Sequence, residues 1–530
     1  MRSASDRLAL AALLSLYLAT RLVALTSLPI FFDETGHIRW AIWISQGQKI
    51  EKPWQYGKGL PIFANALVFP WARHHYLWAS RALTVAFGAG TLVGTVLLAR
   101  RLGGRAAGDL AGLFYIACPY ALFYDRLALT DPALGTFAVL LAVCSLDLAE
   151  KWRWRDSVAS GLALALGVFS KALGALLFFA PAVAVLTIAP RRVRRPGPLL
   201  LAYAIAAGLT AYPLLRYVQV TATLRVAVSK SDAPVLARLA GNLPLCASWL
   251  WSYWTAGLLA LALWAMARAA RTGFRPALFV ALFIVVPLLA LAAVGDIWFP
   301  RYLVFLTGPF AALAAWGAQQ AAVLRPRWAL PVARPLAAAG LVLALMPALR
   351  TDLLMLTDPT EAPLVDLDRF QFVTGWPSGY GVHDTLAFVR AERAHRPQGI
   401  HVVTHSRTVR TTARALDLEF AYDQGALVDD LNFDQPEGAM PLLAEWARAR
   451  PTLVVIEPPQ AKSRRPPPEL FAPLGGALVA RTYKPDGELC DEIYRLYFEG
   501  ALAAAPSAGA EAGGAGTAGA GGSAGRGVVR

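Results

Sequence analysis

Cysteine and charge are both scarce in this sequence. Only four of the 530 residues are cysteine. Cys118, Cys144 and Cys246 lie in or beside apolar blocks and Cys490 stands alone near the C-terminus. This spacing offers neither a metal knuckle nor a disulfide framework. Charged residues make up 16% of the chain, against about 25% in soluble globular domains. Lysine is rare beside arginine, so each lysine inside an apolar region stands out.

What the chain has in excess is apolar residue, 56% of the total, with a mean hydropathy of +0.47. The apolar residues fall in long uncharged blocks, and stretches of about 20 such residues are what a bilayer core requires. Met1 to Leu28 carries Arg2 and Arg7 before its apolar run. Arg21 and the lack of a small-residue cleavage pattern favour an uncleaved first span over a signal peptide. Further spans are expected near 79–99, 106–123, 132–149, 157–169, 172–189, 198–217, 248–267, 276–294, 302–323 and 334–349, about eleven in all.

The net charge of +15 reads as a topology signal and argues against a nucleic-acid partner, because the basic residues fall in short loops between apolar blocks. Arg100, Arg101 and Arg105, then Lys151, Arg153 and Arg155, then Arg191 to Arg195, Arg268 to Arg275 and Arg325 to Arg334 all land on one side if the spans alternate. That side is expected to be cytoplasmic. The alternation closes only if the chain breaks at Ser170-Lys171. The other side receives the 29–78 loop, the turn from Tyr124 to Pro132, the 218–247 loop, the Gly295-to-Arg301 turn and everything after Arg350. The fold class is therefore a polytopic α-helical membrane protein with a small C-terminal soluble α/β domain. Residues 1–350 form the membrane part and 351–500 the α/β domain. Strand-like runs lie at 400–404 and 451–456, and helical runs at 382–395 and 440–448. Residues 501–530 are a Gly/Ala-rich tail expected to be disordered.

Several charged residues converge on the non-cytoplasmic side. Asp33-Glu34, with His37 after them, follow the first span, where adjacent carboxylates can act as a general base or help hold a metal. Asp131 opens a span in Thr130-Asp131-Pro132, a placement that helix-dipole stabilisation alone explains. Arg126 follows Asp125 as a local ion pair. Lys58, Arg81, Lys171 and Arg301 are the cations. A lysine in the position of Lys171 costs roughly 2.5–3.5 kcal/mol on insertion scales, so it needs a partner, an anionic phosphate or a route to the interface. Arg301-Tyr302 follows Trp298-Phe299-Pro300, an aromatic-belt pattern.

These residues in this order, Asp33-Glu34, Lys58, Arg126 with Thr130-Asp131-Pro132, Ser170-Lys171-Ala172 and Arg301-Tyr302-Leu303, resemble glycosyltransferase family 39 of the GT-C superfamily. That group contains protein O-mannosyltransferases and bacterial aminoarabinose transferases of lipid A. The stretch Thr374 to Gly381 is also similar to one in its bacterial members. The resemblance covers about residues 8–385. It implies a polyprenyl-phosphate-linked sugar donor, an acceptor outside the cytoplasm (lipid, polysaccharide or protein) and a site in the bacterial inner membrane with the α/β domain extracytoplasmic. It implies Asp33 as the catalytic carboxylate. The leaving phosphate then calls for cations, Lys58 first, Arg301 second and Lys171 third, with Tyr302 beside them. Glu34, His37, Arg126 and Asp131 are left to position the acceptor or bind a divalent metal, on which family members differ. No loop is long enough for the β-trefoil domain of the eukaryotic protein mannosyltransferases. A transporter or flippase for a lipid-linked sugar is the alternative. It would place charges near the bilayer midplane in repeat-related broken helices, and no repeat is evident.

Overall fold

The computed structural model describes residues 4–72, 75–227, 234–295, 299–323, 330–405, 411–458 and 466–496. The tail from 501 and Trp298 fall outside these residues. In chain order the helices are α1 (Ala4–Leu22), α2 (Phe32–Ser45), α3 (Lys52–Gln55), α4 (Gly59–Val68), α5 (Tyr76–Ile116), α6 (Pro119–Asp125), α7 (Asp131–Lys151), α8 (Trp154–Ser170), α9 (Ala180–Ile188), α10 (Gly197–Ala227), α11 (Val235–Thr272), α12 (Arg275–Val294), α13 (Thr307–Val323) and α14 (Leu330–Thr357). Among the described residues six helices are long and apolar enough to cross a membrane.

The helix boundaries follow local chemistry. Pro119, Pro132 and Pro276 sit in the first turns of α6, α7 and α12, where a missing N–H costs nothing. α5 is two helices joined across Gly103 and Gly104, whose backbone is non-helical, with Gly104 at φ 73°. That break sits at the Arg100–Arg105 basic cluster and separates the two spans read there. The second of them ends at Ile116 rather than 123, because Pro119 starts a new short helix. The segment expected to be a loop over 218–247 is helical on both sides of residues 228–233, which lie outside the described residues: α10 runs to Ala227 and α11 starts at Val235. The break at Ser170-Lys171 is present, followed by a 3-10 stretch over Ala172–Phe179.

The basic connectors gather at one end of the bundle. Arg101 pairs with Asp147 and with Glu150 at 2.8 Å, and Lys151 pairs with Asp147 at 2.8 Å. Arg192 donates to the Ala149 carbonyl at 2.6 Å and Arg275 to that of Ile188 at 3.0 Å.

The C-terminal part holds α15 (Asp366–Arg369), α16 (Val382–Ala394), β1 (Ile400–His405), α17 (Thr411–Glu419), β2 (Ala426–Leu431), α18 (Pro436–Ala449), β3 (Thr452–Ile456), β4 (Ala477–Tyr483) and β5 (Leu489–Leu496). The sheet order is β2-β1-β3-β5-β4. β1 lies parallel to β2 and β3, and β5 antiparallel to β3 and β4. Side chains alternate across a strand, so Val402 and Val455 face one core and Val403 and Val454 the other. This sheet region packs on the membrane part through α2. Leu418 of α17 joins Ile38, Ala41 and Ile42, and Asp417 pairs with Arg39 at 2.8 Å.

Candidate active site

The site is built on the first turn of α2. Glu34 fixes that turn. Its carboxylate accepts from the Phe31 N–H at 2.8 Å, which closes one half of a capping box, and from the Ala128 N–H at 2.6 Å. Arg81 grips the same carboxylate with two N–H groups at 2.8 and 2.7 Å. Arg81 also donates to the carbonyls of Leu25, Leu28 and Pro29. Both side chains are fully buried. One turn on, His37 Nδ1 lies 2.9 Å from the Ala128 carbonyl, so that nitrogen carries the proton and Nε2 is left as an acceptor.

Asp33 points the other way. Its carboxylate sits 2.9 Å from Arg301 and is 26% exposed. The adjacent acids are thus split: Glu34 is consumed by the scaffold and Asp33 faces a pocket of cations. Lys58 Nζ stands 3.0 Å from His37 Nε2, as donor to the bare ring nitrogen. Lys171 pairs with Asp131 at 2.5 Å and lies 4.4 Å from the centre of the Tyr302 ring. Arg301 lies over the Phe299 ring at 4.6 Å and that of Phe31 at 5.6 Å.

Backbone contacts bring these separate elements together. The Ala172 N–H donates to the Gly57 carbonyl at 2.7 Å, joining the Lys58 loop to Lys171. Gly57 has φ 61° and lies against Ala172 and Tyr217, a conformation and a closeness that a side chain would oppose.

The electrostatics are mutual. Burial alone would raise the Asp33 carboxyl, but Arg301, then Lys58, hold it well below the usual carboxylate range. Arg301 is held charged, above its ordinary value: burial opposes this, and Asp33 and then Asp131 outweigh it. Burial pushes Lys58 down, with Asp33 opposing. Burial brings Lys171 down to about 8 against the pull of Asp131. Burial, then Lys58, push His37 down to about 3, so it is neutral. Three cations face two carboxylates, an excess of one positive charge. Arg301 Nη1 is buried with no hydrogen-bond partner among the described residues.

Arg126 stands apart from this cluster. It donates to the carbonyls of Val23 and Ala24, while Asp125 accepts from Tyr17 and Tyr115, so the expected local ion pair is not formed. Among the described residues no three His, Cys, Asp or Glu side chains gather as a metal cluster.

Sequence reasoning missed Arg414 of α17. Its guanidinium stacks on the Phe32 ring at 4.0 Å and is within electrostatic reach of Asp33. Nothing in the sequence around Arg414 announces that α17 lies against α2. The Thr374–Gly381 segment also reaches this turn. Phe32 donates its N–H to the Pro377 carbonyl at 3.0 Å, and its ring meets Trp376 edge-on at 5.0 Å.

A family model described as dolichyl-phosphate-mannose-protein mannosyltransferase matches residues 63–215, a stretch that includes Asp131 and Lys171 and begins after Asp33 and Lys58. No curated protein matches the chain by sequence. Among solved structures, the fold is similar to that of ArnT from Cupriavidus metallidurans. In the apo state the TM-score is 0.56 at 15% identity, covering 94% of this chain and 98% of that one. Bound to undecaprenyl phosphate, the TM-score is 0.53 at 14% identity, covering 93% and 98%. The apo oligosaccharyltransferase of Archaeoglobus fulgidus matches with a TM-score of 0.51 at 12% identity, covering 86% of this chain and 70% of that one. At these identities the structural likeness is one of fold. The family model and the structural neighbours all belong to the GT-C glycosyltransferases, the group that the sequence resembles.

Proposed function

On this GT-C fold, we propose that the chain transfers a sugar from a polyprenyl-phosphate-linked donor to an acceptor outside the cytoplasm, in one inverting displacement. The observation that carries the reading is the excess of Lys58, Lys171 and Arg301 over Asp33 and Asp131, with a buried guanidinium nitrogen of Arg301 that none of the described residues satisfies. A lipid phosphate supplies the missing anion. The chain then sits in a bacterial inner membrane with about eleven spans. The arginine-rich end is cytoplasmic, and the Asp33 pocket and the sheet domain lie on the far side.

The chemistry follows from the charges. The acceptor hydroxyl attacks the anomeric carbon, the bond from that carbon to the phosphate oxygen breaks, and Asp33 takes the hydroxyl proton. Lys58 and Arg301 stabilise the phosphate as charge develops on it, with Lys171 and Tyr302 completing its surroundings. With Arg301 and Lys58 turned on it, Asp33 is a weak base, because they hold its pKa down. A bound phosphate competes for those same cations and so releases the carboxylate to accept a proton. Donor binding thereby primes the base. One turn away, neutral His37 keeps its proton directed at the Ala128 carbonyl and holds Lys58 in place through Nε2.

Vesicles holding purified protein and a labelled polyprenyl-phosphate sugar test this. Lys58→Ala is expected to raise the donor KM by about tenfold or more, the loss of one charge-assisted contact, with little change in thermal stability. Unchanged donor saturation removes Lys58 from the phosphate site.

The pH profile gives a second expectation. Lys171 titrates at about 8, so its charge is complete below that value and lost above it. Donor kcat/KM should fall as pH rises through 8. Arginine keeps its proton throughout this range, so Lys171→Arg should lift the alkaline limb. A limb that stays at the same pH in Lys171→Arg assigns it to another group.

A further inference from the structure

A cavity in the sheet domain is joined to the Asp33 turn through one shared side chain, Trp376. It measures about 210 Å³ and is lined by Phe370, Trp376, Thr412, Glu457, Lys484 and Glu488 among others. Trp376 is 38% exposed and Phe370 44% exposed, large aromatic surfaces that the fold leaves uncovered. Trp376 forms a wall of this cavity and also packs its ring on Phe32, the chain neighbour of Asp33. Its position is fixed. Thr411 donates to the carbonyls of Trp376 and Pro377 at 3.1 Å, and the Phe32 N–H donates to Pro377. Polar side chains share the rest of the lining with Val382, Pro458, Leu489 and Cys490. Lys484 is anchored to the carbonyls of Ser378 and Tyr380, which uses two of its three donors. Glu457 accepts the Ala413 N–H at 3.4 Å, and Glu488 lies at the rim.

Aromatic surface beside carboxylates and an ammonium suits a polyol: C–H faces lie on the rings and hydroxyl groups find donors and acceptors, with the Thr412 hydroxyl, which donates to Asp491, left as an acceptor. The volume is below the roughly 300–1,000 Å³ of drug-sized ligand sites, so it takes one ring at a time. We infer that this cavity is an acceptor subsite that binds one sugar unit of a carbohydrate acceptor and presents the next hydroxyl toward Asp33. Trp376 is its stacking platform. The inference rests on the transferase reading and narrows the acceptor to a glycan or glycolipid. It also gives the Thr374–Gly381 segment a role: the same residues fix the turn that carries Asp33 and hold the acceptor beside it.

The test reads binding without sugar transfer, so it stands or falls separately from the catalytic reading. Full-length protein in nanodiscs is titrated with a panel of methyl glycosides, followed by saturation-transfer NMR, with binding of a short polyprenyl phosphate measured in parallel. At least one glycoside should bind. Trp376→Ala should weaken it about tenfold while polyprenyl phosphate still binds, which shows that the Asp33 pocket survives the change. Glu457→Gln, of the same shape, should weaken or reorder the glycoside preference. Three results overturn the inference: no glycoside binds, both variants bind as the wild type does, or a short polyprenyl-phosphate sugar displaces the glycoside competitively and so places the donor there.

Discussion

Replacing Asp33 with Asn should lower sugar transfer by about 10²–10⁴-fold, the range for loss of a positioned general base, without weakening donor binding. The direction of the second effect is the discriminating part. Asp33 is the carboxylate that Arg301 meets at 2.9 Å. When its charge is gone, Lys58, Lys171 and Arg301 face Asp131 alone, and the excess of positive charge grows by one. Polyprenyl phosphate should therefore bind as tightly or more tightly, so kcat falls while the donor KM holds or drops. A residue that merely shaped the pocket would move both in the unfavourable direction. Transfer that continues undiminished in Asp33→Asn ends the general-base assignment. Tighter phosphate binding with activity lost supports both halves of the reading at once.

Much of this site is legible in the sequence because its members are expensive to place. A carboxylate or lysine next to an apolar block is rare enough to be noticed, and charge sidedness alone puts Asp33, Lys58, Asp131, Lys171 and Arg301 at one end of a bundle. The break at Ser170-Lys171 is legible for the same reason, since the alternation of basic loops requires it. Pairing is not legible. Nothing in the run Asp33-Glu34 says that one acid faces the pocket and the other is buried against Arg81, because helical geometry separates adjacent side chains by about 100° and only the packing of α5 decides which is which. Lys58 resting on His37 and Lys171 on Asp131 are long-range contacts that no local spacing encodes. The sheet domain shows the same division. β1 and β3 are buried along their whole length and carry a Val-Val pair at their centres, because both of their faces are covered. β2 and β4 lie at the sheet edges, carry polar residues, and escape a hydrophobicity reading. Arg414 is the extreme case, an arginine in an ordinary amphipathic helix whose role exists only because α17 docks on α2.

Glu34→Gln is expected to behave as the opposite of Asp33→Asn, although the two residues are neighbours. Glu34 is fully buried, takes two N–H groups of Arg81 and accepts the backbone N–H of Phe31 and Ala128. Removing its charge strands the Arg81 guanidinium in the interior, which typically costs about 3–5 kcal/mol. Purified Glu34→Gln should melt well below the wild type, and Arg81→Leu should do the same for the mirror reason. Replacing a buried ion pair with two apolar residues is often neutral, and here that escape should fail. Arg81 also holds the carbonyls of Leu25, Leu28 and Pro29, and Glu34 holds two backbone N–H groups, so Glu34→Leu with Arg81→Leu leaves five backbone groups in need of partners. The double variant should remain at least as unstable as either single one, with α2 released from the Ala128 turn. If instead it recovers wild-type melting, the pair is only an internal charge balance. The aim of Asp33 would then have to be set by the Phe31 ring on Phe372, 4.4 Å between centres, and by the contacts of Phe32 with Trp376 and Pro377.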